Sequence, residues 1–150
     1  MNDAAIRRAA AWLLRARPTT TEDRAFHLLG LTWAGADRRA IQRAGRALAA
    51  EQRADGGWAP LPSLGSDAYA TGQSMAALAE SGVLTPASAA YARGVQFLLT
   101  TQLADGSWLV RTRAIPVQPH FESGFPHGRD QFISAAATNW ATIALVPAVR

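Results

Sequence analysis

The segment Arg93–Trp108, reading RGVQFLLTTQLADGSW, largely recurs fifty residues upstream as Arg43–Trp58, RAGRALAAEQRADGGW. Both copies close a helix-like run with Gln-x-x-Asp-Gly-[Gly/Ser]-Trp, from Gln52 to Trp58 and from Gln102 to Trp108. A period of this length is the signature of stacked supersecondary units, each too small to bury its apolar face alone. An eroded third copy stands near the N-terminus as Arg8-Ala9-Ala10-Ala11-Trp12-Leu13, with Arg17 where Gln belongs and Pro18 replacing the turn. The chain therefore reads as three repeats forming one domain over residues 1–150.

Each repeat reads as a helical hairpin. The first helix is expected over Asp3–Ala16, stopped by Pro18, which disfavours helix in the residue before it. The second opens at Thr20 or Thr21, with Glu22 and Asp23 in the first turn where negative charge suits the helix dipole, and ends near Gly35. The third follows an Asp37 cap and runs to Gln52. The fourth is capped by Ser66 or Asp67 and stops at Gly82. The fifth begins behind Thr85-Pro86, with proline at a favoured first-turn position, and runs to Gln102. A loop over roughly 109–128, holding Pro116, Pro119, Gly124, Pro126 and Gly128, leads to a sixth helix capped by Asp130 and running to Val146. The first, third and fifth helices carry many charges and read as outer helices with one buried stripe. Ala68–Ala79 and Phe132–Val146 are essentially uncharged and read as inner helices covered on most sides. Alternating outer and inner helices in two layers make an all-α fold, a partial α/α toroid of three hairpins.

No Val/Ile/Thr-rich run alternates with period two, so strands are not indicated. A hydrophobic content of 49% over 150 residues suffices for one core. The absence of cysteine removes disulfides, thiolate metal sites and a cysteine nucleophile. No apolar run approaches the roughly 20 residues of a membrane span, and the N-terminus lacks a signal-peptide layout, so a soluble, cytoplasmic protein is expected. All fifteen basic residues are arginine, and ten of them fall in residues 1–53 against five acids. They spread along two helical stretches as solvated faces, without the interleaved aromatics of a base-stacking platform. Nucleic-acid binding is therefore not expected.

The repeat motif has a structural explanation. A glutamine at the last helical turn can bond exposed backbone groups of a neighbouring helix end. The tryptophan brought back by the glycine turn can pack over that amide and cover the joint. Gly94, or Ala44 in the earlier copy, would keep the outer helix thin where another helix approaches.

In this combination the chain resembles the QW repeat of the terpenoid cyclase and protein prenyltransferase superfamily, as in squalene–hopene and oxidosqualene cyclases. Arg93–Trp108 matches the pattern basic–small–x–x–aromatic–aliphatic–x–x–x–Gln–x–x–x–Gly–x–Trp throughout, and Arg43–Trp58 departs only where Ala47 replaces the aromatic. The strings SDAYATGQSMAALAESG and ESGFPHGRDQFISAAATNWA are also similar to bacterial proteins with squalene-cyclase-type C-terminal repeats. A complete toroid in this superfamily has twice as many hairpins. The resemblance thus implies a half-toroid that pairs with a second copy or a partner chain, or a piece of a larger protein.

The resemblance also frames the search for catalysis. Squalene–hopene-type cyclases protonate an alkene with an Asp-x-Asp-Asp-Thr motif at the start of an inner helix, where neighbouring groups must keep the acid strongly acidic. Asp67-Ala68-Tyr69-Ala70-Thr71 and Asp130-Gln131-Phe132-Ile133-Ser134 keep the first Asp and the hydroxyl residue but lack both later acids. Asp67 and Asp130 therefore read first as helix caps, and with Glu122 they remain the candidates for a catalytic acid. In protein prenyltransferases a zinc ion is held by Asp, Cys and His, whereas Tyr69 falls at the Cys position and Ile133 at the His position. That site cannot form, and no cofactor is expected.

In the long loop, His120, Glu122, His127 and Asp130 are metal-ligand types within eleven residues, on a spacing that matches no standard template. Arg111, Arg113, His127 and Arg129, beside the start of the sixth helix, form a candidate site for an anion such as a diphosphate. The plainer reading is an ordered loop plugging one end of the helical layers. His27 reads as a helix-surface residue. Trp33, Tyr69, Met75, Phe132 and Trp140 on the inner helices are the candidate lining of an apolar pocket. Three functions follow as expectations. The first is a catalytically incomplete cyclase-like domain that binds an isoprenoid or other apolar ligand. The second is a protein-interaction scaffold. The third is a cyclase completing its site across a dimer or with a missing half.

Overall fold

Six α-helices and two short 3-10 turns make up the regular structure of the computed structural model, which describes residues 3–115 and 117–149. Pro116 of the expected loop lies outside the described residues. The helices are α1 (Asp3–Leu13), α2 (Thr21–Trp33), α3 (Arg38–Ala49), α4 (Ala68–Glu80), α5 (Ala89–Thr101) and α6 (Gln131–Leu145). Among the described residues there is no strand. Among the described residues no helix is long and apolar enough to cross a membrane.

The capping chemistry explains most of the starts. Thr20 and Asp23 form a reciprocal capping box at α2, each side chain accepting from the other's backbone N–H at 3.0 Å. Asp37, Asp67 and Ser88 cap α3, α4 and α5. The start of α5 thus lies beyond Thr85-Pro86, and Pro86 is not in its first turn. The ends at Leu13 and Ala49 come a turn earlier than the periodicity predicts. In both places the chain tightens, with Arg15 N bonding Trp12 O and Gln52 N bonding Ala49 O. Asp130 does not cap α6; it belongs to a preceding 3-10 turn, Gly128–Asp130, and its side chain is used elsewhere.

Helices α2, α4 and α6 lie side by side, with α4 in the middle packing against α6 and α2. Hydrogen bonds from Tyr69 to Glu22 and from Trp33 to Glu80 mark the parallel register of α2 and α4 at both ends. Outside this layer α3 rests on α2 and α4, α5 on α4 and α6, and α1 chiefly on α2. Small residues allow the close approach. Gly72 faces the α6 backbone, where a β-carbon would lie 2.6 Å from Ala141 N, and Gly94 faces Met75. In the earlier repeat Ala44 packs partly buried against the core, and its neighbour Gly45 makes a close approach to Val83 in the turn after α4.

The two intact repeat motifs are built alike. Trp58 and Trp108 are buried, and each indole N–H donates to a carbonyl of its own outer helix, Leu48 O and Leu98 O, at 2.8 Å. Each tryptophan's backbone N–H donates to an inner-helix hydroxyl, Thr71 or Thr138. Each tryptophan therefore stitches outer to inner helix, the indole bonding the first and the backbone N–H the second. Gln52 reaches the next hairpin as expected, donating to Ala90 O at 2.8 Å.

Candidate functional site

The five residues expected to line one pocket are not gathered into one. Met75 is fully buried beneath α5 at Gly94 and belongs to the core. Trp33 stands exposed at the far end of α2, its indole N–H 3.4 Å from Glu80 Oε1. Phe132 packs with Phe121 of the long loop at 5.0 Å between ring centroids, near His120. Trp140 meets Phe26 edge-on at 6.1 Å, joining α6 to α2. Tyr69 donates its hydroxyl proton to Glu22, and burial followed by that neighbouring carboxylate raises its pKa. One turn along α4, the Gln73 amide approaches Tyr69 but is buried without a well-formed hydrogen bond on either of its polar atoms.

The acid candidates are held as ion pairs. Asp67 accepts from Ala70 N and pairs with Arg113 at 2.5 Å. Asp130 accepts from Thr112 N at 2.8 Å and pairs with Arg111 at 2.9 Å. The Thr112 N–H, with help from Arg111, holds the Asp130 carboxyl below the usual carboxylate range against a smaller desolvation effect. A carboxylate held in this way carries no proton to donate. Glu122 is exposed and accepts from Gly124 N.

Because the folded Asp130 pKa lies below the unfolded value of about 3.9, its stabilising contribution is complete above that value. The contribution is lost as pH falls through the folded pKa. The change in urea midpoint between pH 7 and pH 3 should therefore be smaller in Asp130→Asn than in the wild type. An unchanged difference would remove Asp130 from the acid sensitivity.

Neither loop cluster assembles. Among the described residues no group of three or more metal-ligand side chains converges. His120 and Glu122 lie 3.9 Å apart, whereas His127 bonds Ser107 Oγ and Asp130 is taken by Arg111. The expected anion site is dispersed for the same reason, since Arg111 and Arg113 are neutralised by Asp130 and Asp67. The loop is instead anchored by buried Gln131, which accepts from Ser123 N at 2.6 Å and donates to Phe121 O at 3.2 Å.

The first hairpin holds a cleft that the sequence reading missed. The carbonyl of Leu13 occupies the repeat position of Leu48 and Leu98, but no tryptophan reaches it. His27 of α2 bonds it instead, Nε2 lying 2.8 Å from Leu13 O. In the α2–α4 register marked by Glu22–Tyr69 and Trp33–Glu80, His27 stands level with Ser74. An imidazole on the inner helix thus takes over the hydrogen bond of the missing indole. A cleft of about 560 Å³ remains, with Trp12, Leu13 and Phe26 as apolar walls and Arg15 and Arg17 on its rim. Neither arginine has an ion pair among the described residues. The signal was the erosion itself, a repeat that keeps its aromatic at Trp12, has Pro18 in place of the turn and has no tryptophan after it at the motif spacing.

No family model and no curated protein matches this chain.

Proposed function

We propose that the chain is a non-catalytic repeat domain of the terpenoid-cyclase type that binds an apolar ligand with an anionic end, of the isoprenoid class, in the α1–α2 cleft. The observation that carries this reading is the vacated tryptophan position, where two free arginines stand over walls of Trp12, Leu13 and Phe26. Apolar pockets with a few placed polar groups are the usual form of small-molecule sites. The absence of catalysis is supported by the pairing of Asp67 and Asp130 with arginines.

The test uses farnesol and farnesyl diphosphate, read by tryptophan fluorescence and by native mass spectrometry of the purified protein. Phe26→Ala is expected to weaken both probes by about tenfold, the effect of 1.4 kcal/mol. The double variant Arg15→Ala/Arg17→Ala should weaken only the diphosphate. Failure of both probes to bind, or binding indifferent to these variants, would sink the reading. An interaction scaffold is the second reading, favoured by the exposure of Trp33, Phe121 and Ile143 outside any shared pocket.

A further inference from the structure

The joint between the second and third hairpins records how an outer helix docks on a repeat turn. The Gln52 amide donates to Ala90 O, and Arg93 donates back to Gln52 Oε1. The α5 helix passes so close over Gly56 that a β-carbon there would lie 2.5 Å from the Arg93 carbonyl oxygen. The Phe97 ring closes over Gly57, 2.9 Å from its would-be β-carbon. The helix therefore reads the turn through Ala90, Arg93 and Phe97.

The turn at 102–107 repeats this socket without an occupant. Gly106 has φ 83° against 86° at Gly56, and both glutamines close their turns on the glycine carbonyl at 2.9 Å. Leu103 N bonds Ser107 O just as Arg53 N bonds Gly57 O. Yet the nearest atom to a β-carbon on Gly106 would be its own Gln102 Nε2, at 4.0 Å. Gln102 is exposed, flanked by exposed Leu99 and Leu103 where the first turn has Ala49 and Arg53. The edge around this turn is thus more apolar than the one around the first.

The matching half stands on α1. Ala5, Arg8 and Trp12 have the spacing of Ala90, Arg93 and Phe97. Arg8 is exposed and Trp12 is 64% exposed. We propose that the turn 102–107 of one copy receives α1 of a second copy, with Gln102 donating to the Ala5 carbonyl and Arg8 donating to Gln102 Oε1. Ser107 replaces Gly57 and is bonded to Asp105 and His127, so Trp12 of the second copy packs beside His127. The contact is heterologous, joining different surfaces of identical chains, and it closes into a ring or propagates according to its rotation. It does not require a ligand in the cleft, because an indole has two faces and the docked turn uses the outer one.

A chain without cysteine permits a direct test. Arg8→Cys and Gln102→Cys single variants of the full chain, mixed without ligand and mildly oxidised, should form the mixed disulfide well above either variant alone. In sedimentation velocity the wild type should associate with rising concentration. Arg8→Ala or Gln102→Ala should weaken that association by about tenfold, the loss of a charge-assisted hydrogen bond, with unchanged melting. A wild type that stays monomeric at every concentration would overturn the proposal. So would association in which 8–8 or 102–102 disulfides match the 8–102 yield.

Discussion

Trp58→Ala should cost about 3–5 kcal/mol, the range for emptying a buried aromatic position. Trp58 has no exposed surface, and its indole N–H is committed to Leu48 O at 2.8 Å. The substitution therefore removes the packing and also one hydrogen bond to the Leu48 carbonyl, which keeps its local backbone partner Glu51 N. Against a total stability of about 5–15 kcal/mol this is a large fraction. It corresponds to a melting point lower by roughly 6–20 °C for a chain of this size. Trp58→Phe should recover part of the loss, restoring most of the volume but not the hydrogen bond. Trp33→Ala is the control, because Trp33 is 67% exposed and its loss should change stability by about 0.5 kcal/mol or less. Equal effects at Trp58 and Trp33 in urea unfolding would refute the structural role of the motif tryptophan.

The contrast between these two tryptophans marks what was legible in the sequence. A ring at a fixed distance behind Gln-x-x-Asp-Gly announces itself as a joint, and its burial follows from the repeat. The same regularity places the helices and their inner or outer identity, because charge is confined to one face on α3 and nearly absent on α4. That lack of charge is also why the site was misread. On a helix without a polar stripe nothing marks which face turns to which neighbour, so Met75 and Tyr69 looked equivalent although Met75 is core and Tyr69 reaches Glu22. The arginine partners of Asp67 and Asp130 come from a loop 46 and 19 residues away, a distance at which no local pattern speaks. His27 was read as surface because its function is defined by a residue that is missing. The erosion was visible in the first repeat, but its compensation on α2 emerges only when the Leu13 carbonyl is found to be occupied.

The packing of α4 on α6 yields a result opposite to ordinary helix propensity. Replacing a mid-helix glycine by alanine normally stabilises by about 1 kcal/mol. At Gly72 the new methyl would stand 2.6 Å from both Ala141 N and Trp140 C, and 2.8 Å from Trp140 O, all backbone atoms. The helices must separate, and a net loss of about 3 kcal/mol or more is expected, at the upper end of overpacking costs. Gly94→Ala is the informative comparison, since its methyl would meet Met75 Sδ at 2.5 Å, a pliable thioether side chain that can move aside. Gly94→Ala should fall within about 1 kcal/mol of the wild type, repulsion and propensity nearly offsetting. Denaturant midpoints of the two variants decide the matter, and a Gly72→Ala protein as stable as the wild type would mean that α4 and α6 do not touch at this point. The same displacement would draw Trp140 away from Phe26, so that a shift in tryptophan emission should accompany the loss at Gly72 and be absent at Gly94.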